Sequence, residues 1–457
     1  MIKYETDSRK VKPGQTFVAI KGYTVDGHNY VESAVKNGAT SVIAEREIET
    51  SVPVTVVENS AKYFQKKLVN EYSADFRDLK LVGITGTNGK TTSAYLTYQM
   101  LNKLGKKVAY MGTLGFMCDD YYEELPNTSP EILTIYKLLE LALEKNCEYV
   151  IMEISSHALD LKRIEGLSFE VCAFTNLTED HLDYHKTMEN YLSCKLMILN
   201  YLKDSGVMLV NKDDEASKKF IERFANTKTF GIGDADYDIQ NFSIYPDHTD
   251  IDFTVEGKAY RTTTNLTSKF NIYNYMTMFS IVHELGFNCD DIVRFTTELK
   301  QPKGRCETYK VKDGFAVVDY AHTPDAVLKV VTAYKELAKA RVITLVGCGG
   351  DRDPMKRPIM GNIASEYSDY VIFTNDNPRT EDPENIMKDI LSGVKKDNYE
   401  VCLDRREAIK KALDMIEEND IVLLLGKGHE DYQILGHTKV HLDDSEEILN
   451  YVNSIKE

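Results

Sequence analysis

The sequence predicts an α/β protein with three domains, and three observations support this prediction. Its 457 residues exceed the size at which one hydrophobic core keeps growing. Two long stretches alternate short apolar runs with helical apolar spacing, which is typical of parallel sheets with crossover helices. Between them, residues from about 230 to 265 alternate polar with apolar side chains, which predicts antiparallel hairpins.

Residues 1–78 are predicted to form a small N-terminal α/β domain. The runs "QTFVAI", "TSVIAE" and "VPVTVV" have the composition of strands, and a helical stretch lies near "NYVESAVKNG". The polar segment "NEYSADFRDLK" separates this domain from a new strand that begins at Leu81.

Residues 79–302 are predicted to form a central domain with a parallel sheet, and residues 303–457 a Rossmann-like C-terminal domain. The central strands are predicted in "LKLVGIT", "KKVAYMG", "EYVIMEIS", "FEVCAFTN" and "GVMLVN". The α/β alternation restarts in "FAVVDYA", "RVITLVGCGG", "YVIFTNDN" and "DIVLLLGKG".

Composition disfavours several classes of protein. Apolar and charged fractions of 42% and 28% are those of ordinary globular chains, and no run has the length of a membrane span or the pattern of a signal peptide. The eight cysteines form no CxxC pair, which favours reduced thiols over a zinc site or a disulfide framework. The net charge of −17 opposes nucleic-acid binding but permits small anionic ligands. We therefore expect a cytoplasmic protein with small-molecule substrates and without nucleic-acid or membrane partners. We also expect a monomer.

The stretch "LVGITGTNGKTT" predicts a phosphate-binding loop between a strand and a helix, which makes the central domain a P-loop-type ATPase domain. We expect Gly86 and Gly89 to let the backbone approach phosphate closely. Lys90 would reach the outer phosphates, and Thr91 or Thr92 would offer a hydroxyl to Mg²⁺. The alternative is a turn that merely contains Gly-Lys-Thr, which the flanking strand and helix disfavour.

Acidic and imidazole side chains follow two further strands of the predicted parallel sheet. Glu153 ends the strand "EYVIME", and a polar cluster follows "EVCAFTN", with Glu179, Asp180, His181, Asp183 and His185. Ligands gather at the carboxyl ends of parallel strands, and these groups suit Mg²⁺ ligation near a triphosphate. Two alternatives remain open: Glu153 paired with a surface base, and a solvated loop around His181.

Four motifs together resemble those of the Mur ligases: "GITGTNGKTT", "MEISSHALD", "FTNLTEDHLDYHKTMENYLSCK" and "FTNDNPRTEDP". The resemblance covers nearly the whole chain, from "DSRKVKPGQTFVAIKGYTVDGH" to "GKGHEDYQ". It implies an ATP-dependent amide ligase of peptidoglycan precursor synthesis. In that reaction, ATP phosphorylates the carboxylate of a UDP-muramoyl dipeptide, and the amine of an amino acid then displaces phosphate.

The resemblance also implies the residues of the catalytic and nucleotide sites. ATP binding falls to Gly86, Thr87, Asn88, Gly89, Lys90, Thr91, Thr92, Asn271, Arg305 and Asp319. The implied Mg²⁺ ligands are Thr91, Glu153, His181 and Lys195, the last as a carbamate, and the implied catalytic residues are Lys90, Glu153, His181 and Lys195. A carbamylated lysine is anionic and suits a hard cation, whereas on sequence alone an exposed helix lysine is favoured. Arg305 and Asp319 lie beyond the predicted domain boundary, so ATP would bridge two domains, although both residues could equally be structural.

For the UDP-sugar substrate, the resemblance implies contacts from Ser8, Asn127, Thr128, Ser129, Ser155 and Arg163. Three departures from the family pattern affect this part of the site. Ser129 stands where a second threonine is common, Leu161 replaces a polar residue, and only six residues precede Asp7. These departures leave the finer uridine and muramoyl contacts open.

Three charged loops of the C-terminal domain, "GCGGDRD", "NDNPRTEDP" and "LGKGHED", are predicted to converge at one sheet edge as a polar pocket. The segment Asp376, Asn377, Pro378 and Arg379 resembles the signature of family members that add meso-diaminopimelate. Arg379 can pair bidentately with the distal carboxylate that lysine does not have. Arg352, Gly426 and Glu430 match further contacts. Lysine or another diamino acid remains the alternative substrate, and the segment could instead be a type I turn with an exposed arginine.

The motifs disfavour three other classes of protein. A ligase of the same architecture with another acceptor, such as a folylpolyglutamate synthase-like or cyanophycin synthetase-like enzyme, is disfavoured by the N-terminal and "DNPR" motifs. A non-catalytic scaffold is disfavoured because Lys90, Glu153, His181 and Lys195 are present. A regulatory GTPase is disfavoured because Ile84 occupies the first glycine position of a Walker loop.

Overall fold

The computed structural model describes residues 1–22 and 25–455. Tyr23 and Thr24 of the N-terminal motif therefore lie outside the described residues. The chain forms two compact units, one of Met1–Thr229 with Ser280–Phe287 and one of Phe230–Phe279 with Asn288–Glu457. The division into three domains at residues 78 and 302 stays a prediction.

The first unit begins with a four-stranded parallel sheet in the order β1-β2-β3-β4. Its strands are β1 (Tyr4–Glu5), β2 (Thr16–Val18), β3 (Ser41–Ala44) and β4 (Val54–Val56), and its helices are α1 (Val31–Lys36) and α2 (Ser60–Tyr72). Short 3₁₀ turns cover Ser8–Lys10, Gly27–Tyr30 and Ser73–Phe76. Apolar side chains of the strands and α1 form a small core of their own. The predicted N-terminal strands and helix are thus confirmed.

A larger sheet follows in the first unit, in the order β11-β10-β5-β9-β6-β7-β8. Its strands are β5 (Lys80–Thr85), β6 (Val108–Gly112), β7 (Gly115–Cys118), β8 (Tyr121–Glu123), β9 (Tyr149–Glu153), β10 (Phe169–Phe174) and β11 (Leu202–Asn211). Its helices are α3 (Lys90–Lys103), α4 (Ile132–Glu144), α5 (Ser156–Asp160), α6 (Leu182–His185), α7 (Met188–Leu196) and α8 (Ser217–Arg223), with a 3₁₀ turn at Met197–Tyr201. The five strands from β11 to β6 are parallel, as predicted. The carboxyl ends of β5, β9 and β10 therefore lie side by side.

The second unit opens with an antiparallel meander. Strand β12 (Thr227–Ile232) leads into β13 (Tyr237–Ile244), β14 (Thr249–Val255) and β15 (Lys258–Thr264). The hairpins β13–β14 and β14–β15 are antiparallel, which confirms the prediction for most of this stretch. Strand β12 differs, because it pairs with β13 in parallel, and left-handed backbone at Gly233 (φ 75°) and Asp234 (φ 59°) redirects the chain between them.

A six-stranded sheet in the order β16-β17-β21-β18-β19-β20 completes the second unit. Its strands are β16 (Glu307–Val311), β17 (Gly314–Asp319), β18 (Val342–Val346), β19 (Tyr370–Phe373), β20 (Tyr399–Val401) and β21 (Ile421–Leu425), and β22 (Tyr432–Leu435) with β23 (Thr438–His441) forms a separate hairpin. The helices are α9 (Lys269–Glu284), whose residues from Ser280 onward belong to the first unit, α10 (Cys289–Phe295), α11 (Pro324–Leu337), α12 (Lys356–Tyr367), α13 (Pro383–Leu391), α14 (Arg405–Asp414) and α15 (Asp444–Ser454), with a 3₁₀ turn at Thr296–Glu298. Apolar clusters pack on both faces of this sheet, which explains why its strands are continuous apolar runs. All strands but β16 run parallel, so the loops after β21, β18 and β19 meet at one edge.

Two further predictions concern membranes and thiols. Within the described part of the chain, no helix has the length and apolar character needed to span a membrane. All eight cysteines are free thiols, as their scattered positions predicted.

Candidate functional site

The predicted phosphate loop connects β5 to α3, and its glycines are sterically required. A Cβ on Gly86 would lie 1.9 Å from Oγ1 of Thr175, and the residue has a φ of 148°. Gly89 occupies the N-cap of α3 with a left-handed φ of 86°. The loop therefore presents its backbone N–H groups at a helix N-terminus, where the helix dipole favours an anion.

Residues after β10 hold this loop in place, and the sequence analysis assigned them no role. The amide of Thr87 donates to the carbonyl of Asn176 at 2.8 Å, and the amide of Asn88 donates to Oδ1 of Asn176 at 2.9 Å. The Asn88 side chain donates to Oγ1 of Thr178 at 3.1 Å. The ammonium of Lys90 lies over the loop and donates to the carbonyls of Gly86 (2.9 Å) and Thr87 (2.7 Å).

Glu153, at the end of β9, is 1% exposed and accepts hydrogen bonds only from neutral groups of the described chain. Its donors are the hydroxyl of Thr91 (2.8 Å), the amide (2.8 Å) and hydroxyl (3.2 Å) of Thr113, and the hydroxyl of Tyr110. A Cβ on Gly112 would lie 2.2 Å from Oε1 of Glu153, so a glycine is needed beside the carboxylate. The alternative of an ion pair with a surface base is therefore wrong. A buried carboxylate with no base bonded to it in the described chain is an arrangement that a cation would complete.

Lys195, on α7, is 1% exposed, and its amine donates to the carbonyl of Gly86 at 2.8 Å. It also lies 4.3 Å from the ring centroid of Tyr191. Burial, with the charge of Lys90 as a smaller cause, lowers the pKa of Lys195 well below that of an ordinary lysine. The alternative of an exposed helix lysine is wrong, since the amine is buried beside the phosphate loop.

His181 is exposed, as the alternative of a solvated loop predicted, and its ring lies near other aromatic rings. Its ring centroid is 5.0 Å from that of His157 and 6.3 Å from that of Tyr191, while its backbone is left-handed with a φ of 54°. His185 contacts Oγ of Ser156 at 2.9 Å. Burial is the main cause that lowers the pKa of both His157 and His185, so these neighbouring rings are neutral at neutral pH.

The predicted muramoyl contacts cluster around Ser129. Its hydroxyl donates to the carbonyl of Glu153 at 2.8 Å and accepts from the amide of Ser155 at 3.0 Å. Arg163 donates to the carbonyl of Ser129 at 2.9 Å, while its buried Nε has no partner in the described chain. The hydroxyls of Thr128 and Thr113 lie 3.0 Å apart. This cluster therefore adjoins Glu153.

Ser8 and Asn127 are the two remaining residues of this substrate set. Ser8 is buried in the 3₁₀ turn Ser8–Lys10, where its carbonyl accepts from the side chain of Asn37 at 2.8 Å. Asn127 is exposed, and so is Leu161 at the end of α5. The roles of Ser8 and Asn127 in binding stay predictions.

In the second unit, the predicted nucleotide residues Arg305 and Asp319 are brought close together. The carboxylate of Asp319 accepts from the amides of Cys306 and Ala321, each at 2.8 Å, and burial raises its pKa. The guanidinium of Arg305 lies 4.7 Å from the ring centroid of Tyr320, and its buried Nε has no partner in the described chain. Asp319 thus has a structural role as well, because it joins two loops.

Asn271, the third predicted nucleotide residue of this unit, is buried near the start of α9. Its side chain donates to the carbonyl of Thr267 at 2.8 Å and accepts from the side chain of Asn274 at 2.8 Å. These two bonds hold the amide in one orientation.

The three charged loops of the C-terminal sheet converge as predicted. Arg379 donates to the carbonyl of Gly350 at 2.7 Å, and the amide of Gly350 donates to the carbonyl of Asn377 at 2.9 Å. The side chain of Asn377 donates to Oε2 of Glu430 at 2.8 Å. A Cβ on Gly426 would lie 2.7 Å from the carboxylate of Asp376, so a glycine is needed there. We call these loops, residues 347–353, 374–380 and 426–430, the amino-acid pocket.

The two arginines of the amino-acid pocket differ in their surroundings. Arg379 is half-buried and has a φ of 53°, which a type I turn does not allow at that position, so the alternative of a type I turn with an exposed arginine is wrong. Left-handed backbone at a non-glycine residue is strained, and such strain is common at ligand sites. Arg352 is exposed and donates to the carbonyl of Asp351 at 3.0 Å.

Family models match most of the chain. The model described as "Mur ligase family, catalytic domain" matches residues 4–80, "Mur ligase middle domain" matches residues 84–282, and "Mur ligase, glutamate ligase domain" matches residues 304–428. A curated relative from Fusobacterium nucleatum is 41% identical over 450 residues, which are 97% of this chain and 92% of the relative. The chain belongs to the Mur ligase family.

Other relatives agree with this assignment. The Fusobacterium protein and one from Clostridium botulinum, 39% identical over 99% of this chain and 95% of its own length, are both named UDP-N-acetylmuramoyl-L-alanyl-D-glutamate–2,6-diaminopimelate ligase. A solved structure with that name has a TM-score of 0.71 and 30% identity, and the alignment covers 100% of this chain and 96% of that chain. MurF from Thermotoga maritima in complex with ADP has a TM-score of 0.69 at 20% identity and covers 99% and 97%, which supports the fold. The predicted family and α/β fold are confirmed.

The side chains of this Mur ligase that could bind a metal ion show how well a metal would fit. In the residues that the structure describes, no three His, Cys, Asp or Glu side chains are placed to hold a metal ion. Thr91 and Glu153 are in contact, and Lys195 shares the Gly86 carbonyl with Lys90, but no described hydrogen bond joins His181 to Glu153. A second anionic oxygen donor beside Glu153 would come from a carbamate on Lys195, which its buried amine with a lowered pKa suits.

The hairpin β22–β23 of this Mur ligase contacts the amino-acid pocket, and the sequence analysis did not predict it. The side chain of Gln433 donates to the carbonyl of Asp376 at 2.7 Å, and the amide of Ile434 donates to Oδ1 of Asn377 at 2.9 Å. The amide of Arg379 in turn donates to the carbonyl of Ile434 at 3.0 Å. The alternation in "YQIL" and "TKVH" around Gly436 could have predicted the hairpin, but not its position against the "DNPR" segment.

Proposed function

We propose that this Mur ligase joins UDP-N-acetylmuramoyl-L-alanyl-D-glutamate to meso-2,6-diaminopimelate with consumption of ATP. The names of its relatives support this substrate pair. The structural observation that carries the proposal is the pocket in which Arg379 and Glu430 are joined through the "DNPR" segment. A cationic and an anionic group held together match the distal carboxylate and ammonium of diaminopimelate.

The first chemical step is phosphorylation of the free carboxylate of the muramoyl dipeptide. The phosphate loop and the ammonium of Lys90 would bind the triphosphate and neutralise charge as it shifts toward ADP. Asn271, Arg305 and Asp319 are proposed to hold the base, phosphates and ribose of the nucleotide. Little covalent work falls to the protein in this step, so positioning and charge neutralisation dominate.

Mg²⁺ would be held by Thr91, Glu153, His181 and the carbamate of Lys195, where it supplies charge neutralisation for the triphosphate. The carbamate forms when the lone pair of the neutral Lys195 amine attacks the carbon of CO₂ and the nitrogen loses a proton. Burial lowers the pKa of this amine well below that of an ordinary lysine, which favours the neutral and nucleophilic form.

The second step is attack of an amine of diaminopimelate on the acyl phosphate. The nitrogen forms an amide bond to the acyl carbon, phosphate leaves with the bonding electron pair, and the nitrogen loses a proton. Asp376, Asn377, Pro378 and Arg379, with Arg352, Gly426 and Glu430, are proposed to hold the distal end of the amino acid. Ser8, Asn127, Thr128, Ser129, Ser155 and Arg163 are proposed to hold the UDP-muramoyl dipeptide.

The proposed reaction belongs to cytoplasmic synthesis of the cell wall precursor, because ATP and a UDP-sugar are its substrates. We propose that the enzyme acts there as a monomer. Elution of the purified protein at about 52 kDa tests the oligomeric state, whereas elution at twice that mass would contradict it.

Phosphate release from ATP, measured with the UDP-muramoyl dipeptide and each of several amino acids, tests the proposed function. We expect rapid release with meso-diaminopimelate and a product whose mass equals the sum of dipeptide and amino acid less water. Much faster release with L-lysine would replace diaminopimelate by lysine as the substrate. If the mass of the UDP-muramoyl dipeptide stayed unchanged with every diamino acid, the proposal would be overturned.

A further inference from the structure

Lys427 is a fully buried lysine in the amino-acid pocket, with 0% exposure, and neither the family resemblance nor the proposed mechanism gives it a role. Its ammonium lies 3.2 Å from Oε2 of Glu430 and 3.5 Å from Oδ1 of Asn377, and it donates to the carbonyl of Tyr432. An ammonium has three N–H donors, so these three acceptors saturate it. Burying a lysine is costly unless it is paired, which indicates that the pocket requires this charge.

The contacts of Lys427 join three separate segments at one point. Glu430 belongs to the same loop as Lys427, Asn377 belongs to the "DNPR" segment, and Tyr432 begins the hairpin β22–β23. Glu430 accepts through Oε2 from both Lys427 and Asn377, and no other described side chain donates to its carboxylate. Its Oε1 is therefore left for a ligand, and the carboxylate is held in one orientation by the lysine.

The ammonium of Lys427 offsets part of the negative charge of the pocket. The three loops of the pocket carry three cationic side chains, Arg352, Arg379 and Lys427, and four anionic ones, Asp351, Asp353, Asp376 and Glu430, so removing Lys427 would leave four carboxylates against two cations. The nearby Arg405 does not alter this balance, because it forms a fully buried ion pair with Asp444 (Nε to Oδ1, 2.9 Å).

We propose that Lys427 is a positioning residue that sets the selectivity of the pocket, an inference that rests on the proposed function. It fixes Glu430 and offsets its charge, so that the pocket accepts an amino-acid terminus carrying both a carboxylate and an ammonium. A side chain that ends in an ammonium alone, as in L-lysine, meets a Glu430 whose charge Lys427 already offsets, and it leaves Arg379 without a carboxylate. The cations Arg379 and Lys427 therefore disfavour it in a partly desolvated site.

The selectivity should follow the net charge of the pocket. Lys427→Met lowers this charge by one and should reduce the ratio of kcat/KM for meso-diaminopimelate to kcat/KM for L-lysine at least tenfold. Glu430→Gln raises the charge by one and should increase the same ratio. The double variant Lys427→Met/Glu430→Gln restores the original charge, so its ratio should lie within threefold of that of the unsubstituted enzyme. A purely structural role would not produce opposite signs that cancel in the double variant.

The experiment measures phosphate release with ATP and the UDP-muramoyl dipeptide at saturation, for both amino acids and all variants. Lys439→Met is the matched control, because Lys439 is exposed and its ammonium lies 3.6 Å from the ring centroid of Tyr432 on the same hairpin. We expect its ratio to stay within twofold of that of the unsubstituted enzyme. A thermal unfolding scan of each variant shows whether it is folded.

Each outcome decides the inference. Equal losses for both amino acids in Lys427→Met would overturn it, and so would a double variant whose ratio stays displaced. If Lys427→Met does not fold, Glu430→Gln and the double variant decide, because the double variant removes both members of the ion pair and leaves no unpaired buried charge. If the unsubstituted enzyme ligates neither amino acid, the proposed function fails first and the inference fails with it. If that enzyme ligates meso-diaminopimelate, the variants test only the inference about Lys427.

Discussion

The phosphate loop and the amino-acid pocket are built in different ways. The phosphate loop is a contiguous segment in which Gly86, Gly89 and Lys90 lie within five residues, and its anion-binding groups are mostly backbone amides. The amino-acid pocket is assembled from three strand-end loops and a hairpin, and its binding groups are charged side chains that hold one another. Binding of the ATP phosphates thus depends on local backbone geometry. The choice of the amino-acid substrate depends on charges brought together from distant parts of the sequence.

The largest effect is expected from a substitution in the phosphate loop. Lys90→Ala should lower ATP turnover on the order of 10³-fold, because it removes a charge that offsets the phosphates during transfer. ATP turnover with saturating dipeptide and diaminopimelate measures the loss. Lys103→Ala, at the exposed end of the same helix, is the control and should retain its activity. An unchanged rate in Lys90→Ala would remove the phosphate loop from the mechanism.

The next effect concerns the carbamate beside that loop. Lys195→Ala should lower activity about 100-fold, since the loss of an anionic oxygen ligand weakens the metal site. Acetate should restore part of the activity because it supplies a carboxylate of similar size. In the unsubstituted protein, mass spectrometry at neutral pH with bicarbonate should detect an added CO₂ on Lys195. A fully active Lys195→Ala variant would contradict this role.

A smaller and selective effect is expected in the amino-acid pocket. Arg379→Ala should lower kcat/KM for meso-diaminopimelate roughly 50-fold and leave the KM for ATP unchanged, because one charge-assisted bidentate pair is lost. Arg406→Ala is a control on an exposed arginine that pairs with Glu447. An equal loss for L-lysine and diaminopimelate would show that Arg379 does not contact the distal carboxylate.

The smallest effect concerns the difference in ligand binding between the two arginines of the pocket. Arg352 is exposed, and exposed ion pairs are weak, so Arg352→Ala should lower kcat/KM for meso-diaminopimelate only about fivefold. Steady-state kinetics with both arginine variants in one assay gives the ratio of the two effects. A loss in Arg352→Ala as large as that in Arg379→Ala would mean that ligand binding buries Arg352.

The regular elements were largely predictable, whereas the surroundings of single side chains were not. Alternating apolar runs indicated the parallel strands on both sides of residues 230–265, because burial on both faces requires continuous apolar strands. The parallel pairing of β12 was not predicted, since residue alternation does not define which neighbour a strand takes. Lys195 shows the limit most clearly: its residue type favoured an exposed helix position, and only the packed fold buries it.

The sequence by itself determined the family, the α/β fold and the segments that carry the chemistry, because glycine spacing, strand-end acids and the "DNPR" segment are local patterns. Only the tertiary structure decided that Glu153 is buried with no base bonded to it in the described residues, that Lys195 lies beside the phosphate loop, and that Lys427 joins three separate segments. The physical reason is that burial and charge pairing depend on residues far apart in the chain. Lys427 and Asn377, whose side chains lie 3.5 Å apart, are separated by 50 positions in the sequence.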